Sequence, residues 1–181
     1  MMRMSDKGLA LLTGWEGGAV SKPYPDSTGV LTIGVGHALT RDELSSGRIF
    51  IDGVKVPYSS GLTKEQMTQL FRQDVAYVSS VVNIGLGAPF EPDSESEREA
   101  LIASGSLNYE LTQDQFDALV SFAFNVGGSA FFSSTLRKRL VAGKFDEVPT
   151  QMRRWIRSKG NVVAGLINRR EQEILLFEGK L

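Results

Sequence analysis

Three residues whose chemistry suits a hydrolase stand close together near the start of the chain: Glu16, Asp26 and Thr32, within 17 residues. An acid that can be kept protonated can donate to a leaving oxygen, while a second carboxylate and a hydroxyl can hold and activate a water. Glu16 opens Glu16-Gly17-Gly18. Asp26 and Thr32 belong to Tyr24-Pro25-Asp26-Ser27-Thr28-Gly29-Val30-Leu31-Thr32-Ile33-Gly34-Val35-Gly36-His37. Each residue alone is ordinary: a surface glutamate, a turn aspartate, a β-forming threonine. Their joint occurrence is the signal.

The surrounding pattern says how they would be held. Ser5 can cap a helix that runs to about Glu16, with Leu9, Leu12 and Glu16 on one face. Gly17-Gly18 ends it, so Glu16 falls in the last turn on the apolar side. Burial and the negative end of the helix dipole would both disfavour an ionised Glu16, which suits a general acid. Gly29–His37 reads as one strand. Leu31, Ile33 and Val35 lie on one face, and Thr32, Gly34 and Gly36 on the other, where a ligand could approach the backbone. Asp26 begins the turn into that strand. Ile49–Val56 reads as a hairpin with Asp52-Gly53 at its tip, which predicts a small antiparallel sheet confined to about residues 22–60.

Downstream the pattern turns helical. Thr63 with Gln66 forms a capping box ahead of Met67, Phe71, Val75, Val78 and Val82. Residues 85–99, rich in Gly, Pro and acid, read as a loop joining two lobes. Thr112 with Gln115 opens a second apolar helix containing Phe116, Leu119, Val120, Ala123 and Val126. Shorter helices are expected at about 134–142, 145–158 and 166–178.

Bulk properties narrow the classes. The 181 residues, 41% hydrophobic, can bury a real core. No apolar run is long enough to span a bilayer, and the N-terminus lacks the apolar segment of a secretory signal. Stable membrane insertion is therefore not expected. With no cysteine there is no disulfide framework. With one histidine and no cysteine, a zinc site would have to rest on carboxylates, so no metal is expected, and hydrolysis by two carboxylates needs no cofactor. Residues 1–115 carry 9 Lys/Arg against 15 Asp/Glu, and residues 116–181 carry 11 against 6. A basic C-terminal part could steer an anionic polymer, although a solvated mixed face explains it equally well. No helix sets basic residues beside stacking aromatics, which disfavours nucleic acid.

Taken together, these segments resemble the phage-type lysozymes and endolysins (glycoside hydrolase family 24), whose signature runs Glu, eight residues, Asp, five residues, Thr. Asp26 to Thr32 keeps that spacing, but nine residues separate Glu16 from Asp26. One extra residue must be absorbed, and a bulge within residues 17–23 is expected because loops tolerate insertion cheaply. The resemblance continues through Leu70–Val75, Phe122–Gly128, Phe132–Arg137, Trp155 and Gly165–Glu171, and covers about residues 8–178.

It implies an α+β lysozyme-like fold forming a single catalytic domain of two lobes over residues 1–181. A small N-terminal sheet lobe, about 1–62 and including the first helix, would precede a larger helical lobe, 63–181, with a cleft between them. It also implies cleavage of bacterial peptidoglycan between N-acetylmuramic acid and N-acetylglucosamine with inversion. Glu16 would be the acid, and Asp26 and Thr32 would position the water. Phe124, Thr135 and Gln151 match positions that contact the sugar chain, and Arg169 matches a basic residue that pairs with the catalytic glutamate. It suggests a structural His37–Asp74 pair, which would also satisfy an aspartate lying among Phe71, Val75 and Val78. The resemblance further implies a monomer made in a bacterial host's cytoplasm and acting at the wall or periplasm, dependent on a separate membrane-permeabilising, holin-like protein. The same residues leave two rivals. A lytic transglycosylase would use Glu16 alone and has no need of Asp26 and Thr32. An inactive wall-binding or virion module would keep the fold with its site out of register.

Overall fold

The computed structural model describes residues 1–26, 29–87 and 111–181. The loop expected at 85–99 therefore lies largely outside the described residues. The chain divides into two compact units: Leu9–Tyr77, and Met1–Gly8 together with Val78–Leu181. The changeover falls inside a long helix and not near residue 62, and the first eight residues go with the later part of the chain.

The unit Leu9–Tyr77 contains most of helix α1 (Asp6–Trp15), strands β1 (Val20–Pro25), β2 (Leu31–Gly34) and β3 (His37–Ala38), helix α2 (Arg41–Ser46), strands β4 (Arg48–Ile51) and β5 (Val54–Pro57), and the first part of α3 (Lys64–Gly85). The expected single strand Gly29–His37 is in fact two. Gly34 and Gly36 have φ of 65° and 73°, and the chain reverses so that Ile33 pairs with His37 and Thr32 with Ala38. The glycines read as a bare face for a ligand are turn glycines, placed where a side chain would be strained.

β1 occupies much of the stretch 17–23 expected to be loop, and it pairs antiparallel with β2. Between the pairs Val20↔Gly34 and Tyr24↔Thr32 the register shifts. Four steps on β1 match two on β2, so surplus chain is taken up within the expected neighbourhood. The β4–β5 hairpin forms with Asp52-Gly53 at its tip, as expected, but as a sheet of its own. The expected single sheet over residues 22–60 is thus two sheets. Ile33, Leu39, Ile49, Ile51, Tyr58, Leu62 and Leu70 pack into one core against Val56 and Met67. Gln73 on α3 clamps the second hairpin, donating to the Phe50 carbonyl at 3.0 Å and accepting from the Asp52 amide at 3.3 Å.

In the other unit, helix α4 (Gln113–Val126) follows the capping box of Thr112 and Gln115, and every residue from Phe116 to Ala123 is buried. A helix buried on all sides belongs at the centre of a bundle, and its buried polar residues Asp117 and Ser121 are hydrogen-bonded. Around it come α5 (Gly128–Ser133), α6 (Thr135–Val141), a 3₁₀ turn (Phe145–Glu147), α7 (Val148–Met152), strands β6 (Arg157–Ser158) and β7 (Asn161–Val162), and α8 (Ala164–Phe177), which packs on α4. The helix expected over 145–158 stops at Met152, and its remainder forms a hairpin that periodicity did not reveal. Phe116, Phe122, Phe131, Leu136, Leu140 and Met152 are fully buried. Each contributes about 1.5–3 kcal/mol by leaving water. Among the described residues no helix is long and apolar enough to cross a membrane.

Candidate active site

Glu16 sits in the turn that leaves α1. Ser5 caps the other end of that helix, its Oγ accepting the Gly8 amide at 3.1 Å, while the Ser5 amide donates to Asp117 at 3.0 Å. The Glu16 amide still donates to the Leu12 carbonyl at 3.0 Å, and Leu12 is fully buried. The backbone of Glu16 is therefore fixed by the last helical turn, and its side chain is half-buried. Gly17 and Gly18, at φ of 75° and 98°, carry the chain away from it.

Asp26 and Thr32 are tied to each other through Val30. The Val30 amide donates to Asp26 Oδ1 at 2.8 Å, and the Val30 carbonyl accepts the Asp26 amide at 2.9 Å. The same carbonyl accepts the Thr32 hydroxyl at 3.1 Å. The tie arises from local sequence: aspartate binds amides a few residues ahead, and the β1–β2 ladder places Tyr24 opposite Thr32. Thr32 is 4% exposed and Asp26 is half-buried. With its proton spent on Val30, the Thr32 oxygen has lone pairs with which to accept a hydrogen from a water.

His37 and Asp74 meet in the same unit. Nδ1 lies 2.9 Å from Asp74 Oδ2, and Nε2 lies 3.2 Å from Glu43 Oε2. Glu43 was not anticipated as a partner. It closes the capping box of α2, accepting the Thr40 amide at 2.8 Å, and a Thr-x-x-Glu pattern after His37 could have announced it. Burial alone would lower the His37 pKa. The hydrogen bond and charge of Asp74, and then those of Glu43, outweigh it and hold the ring above its ordinary value.

The remaining expected positions lie in the unit that holds α4–α8. Phe124 is half-buried on α4, Thr135 is exposed at the start of α6, and Gln151 on α7 accepts from Arg154 at 3.1 Å. Arg169 is 7% exposed and donates through Nε to Glu173 Oε1 at 3.0 Å. Glu173, with no exposure, also receives the Ser121 hydroxyl at 2.7 Å and faces Arg170 Nε at 2.7 Å. Arg170 in turn donates to Asn125 Oδ1 at 2.8 Å and stacks over the Phe122 ring at 5.1 Å. The sequence reading missed this buried Arg-Glu-Arg cluster, although the i, i+3 and i+4 spacing of Arg170, Arg169 and Glu173 carried a signal.

A family model described as phage lysozyme matches residues 14–173. The endolysin of Acyrthosiphon pisum secondary endosymbiont phage 1 is 31% identical to this chain, over 98% of it and 99% of the relative. Among solved structures, an endolysin from Escherichia coli O157:H7 phage FAHEc1 superimposes with a TM-score of 0.69 at 29% identity, covering 99% of this chain and 96% of the other. The muramidase domain of SpmX from Asticaccaulis excentricus does so with a TM-score of 0.67 at 27% identity, covering 98% of each.

Proposed function

The chain belongs to the phage lysozyme family and is a glycoside hydrolase of the endolysin kind, and on that premise we propose how it cuts bacterial peptidoglycan. The bond broken joins N-acetylmuramic acid to N-acetylglucosamine, with inversion at the anomeric carbon. Glu16 gives its proton to the leaving glycosidic oxygen. A water on the opposite face of the sugar donates one hydrogen to Asp26 and the other to Thr32 Oγ1, which leaves a lone pair for the anomeric carbon. Phe124, Thr135 and Gln151 contact the glycan, and Arg169 supports the acid. The His37–Asp74–Glu43 cluster has a structural role and stabilises the unit that carries Glu16, Asp26 and Thr32. The chain works as a monomer.

The observation that carries this reading is the Asp26–Val30–Thr32 linkage. One backbone residue aligns a carboxylate and a hydroxyl and consumes the hydroxyl's proton, which is the arrangement a positioned water needs. The test is digestion of purified peptidoglycan by the wild type and by Glu16→Gln, reading new reducing ends together with product masses. The wild type should release muropeptides with free reducing ends. Glu16→Gln should lose about 10²–10⁴-fold in rate, as removal of a general acid does, with an unchanged circular dichroism spectrum. Anhydro-sugar products, or a variant as fast as the wild type, would refute the assignment.

A further inference from the structure

Counted along the chain, the unit Leu9–Tyr77 is slightly acidic, with 6 Lys/Arg against 7 Asp/Glu. The charge it displays is the reverse. Glu43 and Asp74 face His37, Asp26 accepts the Val30 amide, and Glu16 is half-buried. Of its acids only Asp42, Asp52 and Glu65 are exposed. Lys22, Arg41, Arg48, Lys55, Lys64 and Arg72 are all exposed, and none forms an ion pair among the described residues. Folding spends this unit's acids internally and leaves its surface basic.

The β4–β5 hairpin gathers part of that charge around an aromatic ring. Strand alternation sends Ile49 and Ile51 into the core and leaves Arg48 and Phe50 outside. A polar residue is the ordinary occupant of such an outward position, yet Phe50 holds it and is 53% exposed. Lys55 stands directly across the ladder from Phe50, and Pro57 across from Arg48. The Arg48 guanidinium reaches over to β5, within 3.5 Å of the Lys55 carbonyl. Two cations therefore flank the ring, and Val54 beside the tip is 61% exposed. The hairpin's one acid, Asp52, sits at the tip.

Neither edge of the hairpin invites another strand. Gln73 already occupies the outer edge of β4, at the Phe50 carbonyl and the Asp52 amide. On β5 an exposed lysine and a proline without an amide discourage pairing. What remains to be covered is the face. A single exposed phenylalanine is ordinary on a protein surface. One held between cations on a basic unit matches a surface that is anionic outside and apolar beneath, as an anionic bilayer is. The ring can enter the acyl boundary while the cations keep their charged ends among the phosphates. A soluble phosphate polymer would engage the cations and leave the ring in water.

We propose that the outer face of β4–β5 docks the protein peripherally on an anionic phospholipid bilayer, Phe50 entering the interface and Arg48 and Lys55 meeting the phosphates. Such docking needs no apolar span, and it stands independently of the roles given to Glu16, Asp26 and Thr32.

The experiment is co-sedimentation with sucrose-loaded vesicles, either equimolar phosphatidylglycerol and phosphatidylcholine or phosphatidylcholine alone. It compares wild type, Phe50→Ser, the double variant Arg48→Gln/Lys55→Gln, and Lys138→Gln, which removes an exposed charge from the other unit. The wild type should bind the anionic vesicles, ignore the neutral ones and come off as salt rises. The double variant should lose about 10–30-fold in partitioning, since each basic residue near such a surface is worth about fivefold. Phe50→Ser should lose about three- to tenfold, from the part of its side chain still free to leave water. Lys138→Gln should bind as the wild type does. Melting temperatures and hydrolysis of purified peptidoglycan in solution should hold in every variant, because the replaced side chains are exposed. Wild-type binding no stronger to anionic than to neutral vesicles, or a loss for Lys138→Gln as large as that of the double variant, would overturn the proposal. Equal binding by wild type and Phe50→Ser would assign the cations to a phosphate polymer and overturn it too. So would a wild-type dimer in light scattering that Phe50→Ser dissolves, since the face would then belong to a second copy.

Discussion

Replacing Asp74 with Asn tests how the unit carrying Glu16, Asp26 and Thr32 is held together. Asparagine keeps the shape and can still accept from His37 Nδ1, so what is lost is the charge. Glu43 continues to face Nε2 at 3.2 Å, so the imidazolium is not orphaned. The penalty is then that of one charge-assisted hydrogen bond, about 1.5–3 kcal/mol, and not the ~3–5 kcal/mol of a broken buried pair. For a domain of this size about 2 kcal/mol corresponds to a fall of about 4–8 °C in melting temperature.

The pH dependence sharpens the test. Burial opposes charge on His37, but Asp74 and Glu43 raise its pKa above the ordinary 6.5. A group raised on folding contributes fully below its unfolded value, and that contribution fades as pH climbs through the folded value. Glu43 is shifted the other way. Burial would raise it, but Thr40 and then His37 hold it below its ordinary 4.5, so its share is lost only as pH falls through that lowered value. The full effect therefore lies between 4.5 and 6.5. Thermal melts of wild type and Asp74→Asn should differ most near pH ~5.5 and converge to about 1 kcal/mol or less at pH ~9, where a neutral ring makes an ordinary hydrogen bond. In a His37→Asn background the gap should lose its pH dependence. A gap that stays constant or widens from pH ~5.5 to ~9 would refute the ion-pair account.

Three further outcomes follow from the same geometry. In a ligand-bound crystal the Glu16 and Asp26 carboxylates should stand ~6.5–9.5 Å apart and NMR should show the inverted anomer first; a covalent glycosyl-Asp26 adduct would exclude this. Deleting Ala19, which is exposed and lies outside the ladder, should leave appreciable lytic activity. Deleting Ile33, which is fully buried and paired with His37, should abolish it by slipping the register. Glu173→Ala leaves two arginines without their shared acid and should cost about 3–5 kcal/mol by denaturant unfolding, whereas a loss below 1 kcal/mol would show that the cluster is not a stabilising unit.

Much of this protein is decided by short-range rules that a sequence displays openly. Ser5, Thr63 and Thr112 cap their helices because a hydroxyl three residues ahead of an orphan amide is placed to accept from it. Asp52-Gly53 turns a hairpin because few other pairs tolerate its backbone. The spacing of Asp26 and Thr32 survives as a physical link because both bind Val30, four residues or fewer away. The tertiary structure decided what depends on partners distant in sequence. Glycines at 34 and 36 look alike in a strand or in a turn, and only pairing with β1 and β3 settled which. His37 lies close to Glu43 in the chain but far from Asp74, and α3 had to pack before the ring acquired both. The Arg169–Glu173–Arg170 cluster reads in one dimension as a solvated helix face. It becomes a buried network because α4 offers Ser121, Asn125 and Phe122 to satisfy it, and burial of charge is a property of the packed pair of helices that neither sequence segment carries alone.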